Sequence, residues 1–236
     1  MKHVKVVAIV SGGMDSVVMA HMLSELYDLD ILAFNYGQRH KKELEYSRAC
    51  AEQLGARWDL VPMPNLGKML SDSSSTLVDL STEVPEGHYA EDNMRQTVVP
   101  NRNAIMLSIA TGIAIARGAS MVATAVHAGD HFIYPDCRLP FIEDLTEAFR
   151  KGNEGFIDSN FLIYAPFINS SKADIAIMGH SLGVDFRKTW SCYKGGEVHC
   201  GKCGTCVERQ EALHLAGVVD LTAYEDSEYW KGVTSA

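Results

Sequence analysis

The stretch Val4-Lys5-Val6-Val7-Ala8-Ile9-Val10-Ser11-Gly12-Gly13-Met14-Asp15-Ser16 decides the fold. Its apolar run from Val4 to Val10 reads as a buried strand. Asp15 to Tyr27 reads as a helix with Val18, Met22 and Leu26 on one face. Glycines between a strand and a helix let backbone N–H groups come close to an anion, and the helix points its positive end at it. The stretch therefore reads as a phosphate-binding turn. No lysine closes the loop, so it is not the GxxxxGK[ST] pattern. An ordinary strand-to-helix turn would explain a bare Gly-Gly, but not Ser11, Asp15 and Ser16 around it.

Working outward, the first half alternates strand and helix patterns. Leu29 to Phe34 reads as a strand and Lys41 to Leu54 as a helix stopped by Gly55. Trp58 to Val61 is a third strand, ended by Pro62 and Pro64. Arg102 to Arg117 is a strongly apolar helix closed by Gly118, and Met121 to Val126 another buried strand. Phe141 to Lys151 reads as a helix, Phe161 to Tyr164 as a strand, and Ser171 to Leu182 as a helix capped near Ser170 or Ser171. Such alternation predicts an α/β fold: a parallel sheet flanked by helices, Rossmann-like, with right-handed crossovers. Ligands bind beyond the carboxyl ends of such strands, which here means Ser11 to Ser16, Asn35 to His40 and His127 to Arg138. Residues 63–99 break the rhythm with Ser73-Ser74-Ser75 and two acidic clusters, and read as either a functional lid or a disordered insertion.

The chain has 236 residues, 47% hydrophobic and 22% charged, enough to fill the core of one large domain. Its formal net charge of −9, from 30 acidic and 21 basic residues, argues against nucleic acid and for a small-molecule substrate. Lys5 interrupts the first apolar run and no small-residue cleavage site follows, so no signal peptide is expected. Arg102 and Arg117 bracket the most apolar stretch too closely for a bilayer span. These features predict a cytoplasmic protein without membrane contact, whose cysteines sit in a reducing compartment.

Cys192, Cys200, Cys203 and Cys206 read C-x7-C-x2-C-x2-C, with Gly201 and Gly204 relaxing the turns. Four thiolates fill the coordination shell of a zinc ion and leave no place for activated water, so a zinc here is structural. An iron–sulfur cluster takes similar ligands, and CxxC pairs also occur as redox or carrier thiols. His199 is a spare ligand type beside a complete set, and Cys50 reads as a small buried hydrophobe. Domain organisation follows from this change of character: a nucleotide domain over 1–189, then a zinc-binding region with a helix from Val207 to Leu215 over 190–236.

The Ser11–Ser16 loop resembles the pyrophosphate loop, S-G-G-x-D-S, of the N-type ATP pyrophosphatases. Further segments narrow the resemblance: Asn35-Tyr36-Gly37-Gln38-Arg39-His40, Val99-Pro100-Asn101-Arg102-Asn103, His127-Ala128-Gly129-Asp130-His131, Tyr134-Pro135-Asp136-Cys137-Arg138, Thr189-Trp190-Ser191-Cys192, and the cysteine cluster. In this order, and over nearly the whole chain to about Ala212, they look like the 7-cyano-7-deazaguanine synthases. That family converts 7-carboxy-7-deazaguanine and ammonia to the nitrile with ATP, as C–N ligases of deazapurine modification such as queuosine formation. The resemblance implies that Ser11, Gly12, Gly13, Met14, Asp15 and Ser16 hold ATP, with Asp15 on Mg²⁺. It implies catalytic roles for Asp15, Arg39, Arg102 and Lys172. Tyr36, Gln38, His40, Asp130, Tyr134, Asp136 and Arg138 are the implied substrate contacts, carboxylates accepting from a guanine-like edge and Tyr134 stacking on the base. It also implies one structural zinc and a homodimer.

Plainer readings accompany several of these. Arg39 can be a solvated helix-start charge, Lys172 an ordinary exposed lysine, and Tyr134 loop packing. His21, His180 and His214 read as surface or helix-packing residues. Two other functions fit the same loop: a related enzyme using another nucleophile, for tRNA thiolation or amine conjugation, or a zinc-stabilised binding module without catalysis. Cys137 is the candidate thiol for the first, and the chain has no room for an amidotransferase domain that would supply ammonia.

Overall fold

The computed structural model describes residues 4–70, 75–79, 81–88 and 92–234; Ser73 and Ser74 of the serine run lie outside them. Five parallel strands, β1 (Lys5–Ile9), β2 (Asp28–Asn35), β3 (Arg57–Pro62), β4 (Met121–Ala123) and β5 (Leu162–Tyr164), form one sheet in the order β3-β2-β1-β4-β5. Register is set by Val6 opposite Leu29 on one side and opposite Met121 on the other. The chain first winds outward from β1 through β2 to β3, then returns past β1 to β4 and β5. The direction reverses between β1 and β4, and a crevice opens beyond their carboxyl ends.

Side chains alternate across the sheet as strand geometry requires. Val7 joins one core with Leu107, Ala110 and Ala114 of α4 (Arg102–Ala116) and Ile142 of α5 (Leu139–Gly152). Val6 and Ala8 join the other, with α1 (Met14–Ser24), α2 (Glu43–Leu54), α6 (Lys172–Ser181) and α7 (Gly204–Leu215). Cys50 is buried in this second core, where burial pushes its thiol up to about 12. Gly55 ends α2 at φ +63°, and Ser171 caps α6 reciprocally with Asp174, as a helix start of this type requires.

Residues 94–116 are long and apolar enough to cross a membrane by length and composition, with a mean hydropathy of 1.2. In the fold this stretch is a 3₁₀ turn (Asp92–Thr97), a break, and then α4, whose Met106, Leu107, Ala110, Thr111 and Ala114 are buried. Its buried face packs on β1 and β4.

The interrupting segment is structured where it is described. It contains the short helix α3 (Pro64–Leu70), and Leu77 and Met94 are fully buried. The Gly67 N–H donates to the Tyr36 carbonyl at 2.7 Å, an approach so close that a Cβ there would meet that oxygen at 2.5 Å. Glu86 then bridges to Cys203, and the Gly87 N–H donates to the Lys202 carbonyl at 3.1 Å. These described parts run from the sheet to the cysteine cluster as packed structure.

The C-terminal region folds against the same body. Arg209 on α7 is wholly buried and donates to the Thr189 hydroxyl at 2.6 Å, the Phe186 carbonyl at 2.7 Å and the Thr222 hydroxyl at 2.8 Å. The Trp190 N–H donates to the Gly12 carbonyl at 2.8 Å, tying the cysteine region to the glycine turn. A short helix α8 (Trp230–Val233) closes the chain.

Candidate active site and cysteine centre

The glycine turn is built to leave donors free. Gly13 precedes α1 in extended conformation, and no side chain among the described residues caps the helix start. The first-turn N–H groups therefore point out of the helix without a partner from it, the condition for holding an anion. Ser16 Oγ donates to the Gly13 carbonyl at 3.0 Å, and Ser11 Oγ accepts the Gly13 N–H at 3.2 Å, fixing the turn. Gly12 sits at φ +100°, and a Cβ there would lie 2.1 Å from the Glu43 carbonyl oxygen. Only glycine lets the start of α2 press against the turn. Met14, expected at the nucleotide, is 1% exposed and belongs to the core, because α1 turns it inward.

A cleft opens above the turn at the β1/β4 reversal. Ser11, Gly13, Asp15 and Ser16 line one wall, and Thr124, Ala125 and Val126 after β4 another. Tyr36, His40 and Glu43 enter from the β2–α2 connection, Arg102 and Asn103 from α4, Asp130, Tyr134 and Cys137 from the loop after β4, and Tyr193 from the cysteine region. Nine predicted residues, Ser11, Gly13, Asp15, Ser16, Tyr36, His40, Arg102, Asp130 and Tyr134, meet here.

Charge in the cleft is divided. At the glycine turn, Lys172 Nζ lies 3.2 Å from Asp15 Oδ2 and 2.6 Å from Glu208 Oε2. Burial alone would raise the Asp15 carboxyl, but the Lys172 ammonium outweighs it and holds it below the usual carboxylate range. Burial raises the Glu208 carboxyl, only partly offset by Lys172, while burial opposes but the two carboxylates push the Lys172 ammonium far upward. The His127 Nδ1 accepts the Gly129 N–H at 3.1 Å, so Nε2 carries the hydrogen; it lies 3.8 Å from Asp15 Oδ2 and 3.7 Å from Asp130 Oδ2. At the other end Arg102 has no carboxylate within ion-pair distance among the described residues. It faces the phenols of Tyr36, Tyr134 and Tyr193, its guanidinium 5.8 Å from the Tyr134 ring centre. A partly buried cation set among phenols, with no carboxylate beside it, suits an anion.

Four predicted contacts fall elsewhere. Arg39 turns from the cleft and donates to the Asp79 carbonyl at 2.9 Å and the Thr82 carbonyl at 2.5 Å, holding the interrupting segment. Gln38 is buried and internal: it accepts the Tyr36 N–H at 2.9 Å and donates to the Phe34 carbonyl at 2.9 Å and to Glu43 at 3.1 Å. Arg138 is exposed and donates to the His131 carbonyl at 3.0 Å, and Asp136 is on the short 3₁₀ turn Pro135–Cys137 and does not line the cleft. Glu43, Tyr193 and Glu208 are site residues the sequence did not single out, and it marks His127 only as the first residue of a ligand-lining segment. Glu43 alone left a signal, three places after His40 at the start of a helix.

Cys192, Cys200, Cys203 and Cys206 are all buried, with their sulfurs within 4.8 Å of one another. Tetrahedral zinc with Zn–S bonds of about 2.3 Å sets its sulfurs roughly 3.8 Å apart, and the Cys200 and Cys206 sulfurs are 3.9 Å apart. The Lys202 and Cys203 N–H groups both point at Cys200 Sγ, at 3.4 and 3.3 Å, which suits a thiolate. His199 is no ligand: its Nε2 accepts the Ser191 N–H at 3.1 Å, its ring stacks on Trp190, and burial pushes its pKa down to about 3. The four cysteines thus fit one tetrahedral metal ion.

The family profile described as "Queuosine biosynthesis protein QueC" matches residues 5–217. The chain belongs to the QueC family. It is 52% identical over 233 residues to the 7-cyano-7-deazaguanine synthase of Sinorhizobium fredii, covering 98% of this chain and 97% of that one. It is 52% identical to the enzyme of that name from Brucella anthropi over 96% of each chain. The corresponding protein of a Ruegeria species is 53% identical, covering 96% of this chain and 95% of its own. The match to QueC therefore takes in the glycine turn, the divided cleft and the cysteine centre in one continuous chain.

Proposed function

We propose that this chain is an ATP-dependent ligase that converts 7-carboxy-7-deazaguanine and ammonia to 7-cyano-7-deazaguanine. The observation that carries the reading is an uncapped helix start, with Asp15 and Lys172 beside it, at the sheet reversal of a QueC-family chain. A carboxylate is a poor acyl donor because hydroxide leaves badly. Adenylation replaces it with AMP, ammonia attacks to give an amide, and a second activation of the amide oxygen expels it as a nitrile. Cradling phosphates and stabilising developing charge carry most of such chemistry.

In this reading Ser11, Gly12, Gly13 and Ser16 hold the ATP phosphates through backbone and hydroxyl groups. Asp15 Oδ1, buried without a hydrogen-bond partner among the described residues, would share a Mg²⁺ ion. Lys172 neutralises charge on the phosphates, and Arg102 with its tyrosines takes the substrate carboxylate. Asp130 accepts from the deazaguanine edge and Tyr134 stacks on the ring. A sulfur-transfer enzyme would need a reactive Cys137, whose thiol burial and the nearby Asp130 and Asp136 push far up. The zinc is structural, the nucleotide domain spans 1–189 and the zinc-binding region 190–236. The active protein is a cytoplasmic homodimer that binds no nucleic acid stably. Supplying heavy-nitrogen ammonium tests the reading: the label appears in the nitrile of the product, and its absence there refutes the route.

A further inference from the structure

His40 is 5% exposed and lines the cleft, yet its Nδ1 has no hydrogen-bond partner among the described residues. Its Nε2 lies 3.4 Å from Glu43 Oε2. A carboxylate accepts only, so Nε2 carries the ring hydrogen in the neutral imidazole and Nδ1 keeps a lone pair. Glu43 is fixed in turn, because Gln38 Nε2 donates to its other oxygen at 3.1 Å and is itself anchored to the Phe34 carbonyl. The ring of Tyr193 lies 5.1 Å from that of His40, tilted by 33°, and screens it from bulk water. The start of α2 presses on the glycine turn at Gly12, so this pair is locked directly beside the place where phosphates bind.

An imidazole oriented by a carboxylate on one nitrogen and bare on the other is the arrangement of a general base. From this juxtaposition we infer that His40 accepts one proton from nitrogen in each turn of the reaction, with Glu43 as its positioning residue. The inference rests on the ligase reading above. In the first turn the ammonia lone pair forms the C–N bond at the acyl carbon. The nitrogen, now cationic, gives one proton to His40 Nδ1, and the C–O bond to AMP breaks with its electron pair leaving on AMP. In the second turn adenylation of the amide oxygen leaves C(=NH2+)–O–AMP, which first gives one N–H proton to solvent and keeps one. The remaining proton passes to His40, its bonding pair forms the third C–N bond, and AMP leaves again. Each proton goes on to solvent before the next turn.

The test compares wild type with His40→Gln, whose amide keeps a donor for Glu43 and offers no base, and with Glu43→Gln. Acid-dependent exchange of labelled pyrophosphate into ATP reports adenylation, which needs no base. Relative to exchange, nitrile formation from ammonia should fall on the order of 10²–10⁴-fold in His40→Gln and less in Glu43→Gln. Hydroxylamine, a nucleophile that sheds its proton readily, should form the hydroxamate at rates within about tenfold of wild type in both variants. The inference is overturned if ammonia and hydroxylamine rates fall in parallel, if exchange is lost in both variants, or if only the KM for the acid changes. If wild type itself forms no AMP with the acid, the ligase reading fails instead.

Discussion

Lys172 Nζ lies 2.6 Å from Glu208 Oε2, joining the helix that begins in the cysteine cluster to the lysine beside the glycine turn. Lys172 is on α6 and Glu208 on α7, and the same ammonium reaches Asp15 at 3.2 Å. The glycine turn and the cysteine region thus share one partly buried cation. Changing either end should be felt at the other.

Replacing Lys172 by Met leaves two carboxylates facing each other without the cation between them. Removing one partner of a buried ion group costs about 3–5 kcal/mol, so denaturant unfolding of Lys172→Met should show a loss of this size. Lys172→Arg should lose less. Nitrile formation should fall by at least the loss of one charge-stabilising group, on the order of 10²-fold.

The sign of the pH dependence follows from the raised Lys172 ammonium. Its stabilisation is fully present below the ordinary lysine value of 10.5 and is lost as pH rises through the higher folded value. The Lys172 contribution to the difference in unfolding free energy between wild type and Lys172→Met should therefore not decay between about pH 7 and pH 9, and it shrinks only above 10.5. A difference that decays across neutrality would mean the ammonium is not held as described.

Gly12→Ala places a Cβ 2.1 Å from the Glu43 carbonyl oxygen on a backbone with φ +100°. Neither atom is the end of a flexible side chain. The strain alone costs about 1–3 kcal/mol, and relief requires α2 to move off the turn. The expected result is a lower Tm together with loss of acid-dependent AMP release. Retention of both would show that the contact is slack.

Metal analysis should find about one zinc per chain, as four thiolates require. Cys206→Ser should lower that ratio and expose residues 190–216 to hydrogen exchange. Because Trp190 and Glu208 carry the region's contacts to the glycine turn, exchange should rise in the turn as well. Exchange confined to the cysteine loops would separate the metal from the active site.

What could be read from the sequence was what is contiguous in it. The glycine turn and the four cysteines hold their chemistry within a few residues, so spacing alone located both. Gly55 and Ser171 marked helix ends by local chemistry in the same way. Glu208 could not be found like that. Two places past Cys206 it looks like a solvated helix charge, and only the packing of α7 on α6 turns it to Lys172. Arg39 failed for the converse reason. Its neighbours Tyr36 and His40 do line the cleft, but its guanidinium is captured by carbonyls at Asp79 and Thr82, in a segment without any motif. Tyr193 enters the cleft from the far end of the chain beside Cys192, where the sequence offered only a metal ligand.

The most direct test is mass spectrometry of the purified protein incubated with 7-carboxy-7-deazaguanine, ATP, Mg²⁺ and ammonium, with Asp15→Ala as control. Wild type should form 7-cyano-7-deazaguanine together with AMP, and the variant neither. Consumption of neither ATP nor the acid by wild type would contradict the ligase reading.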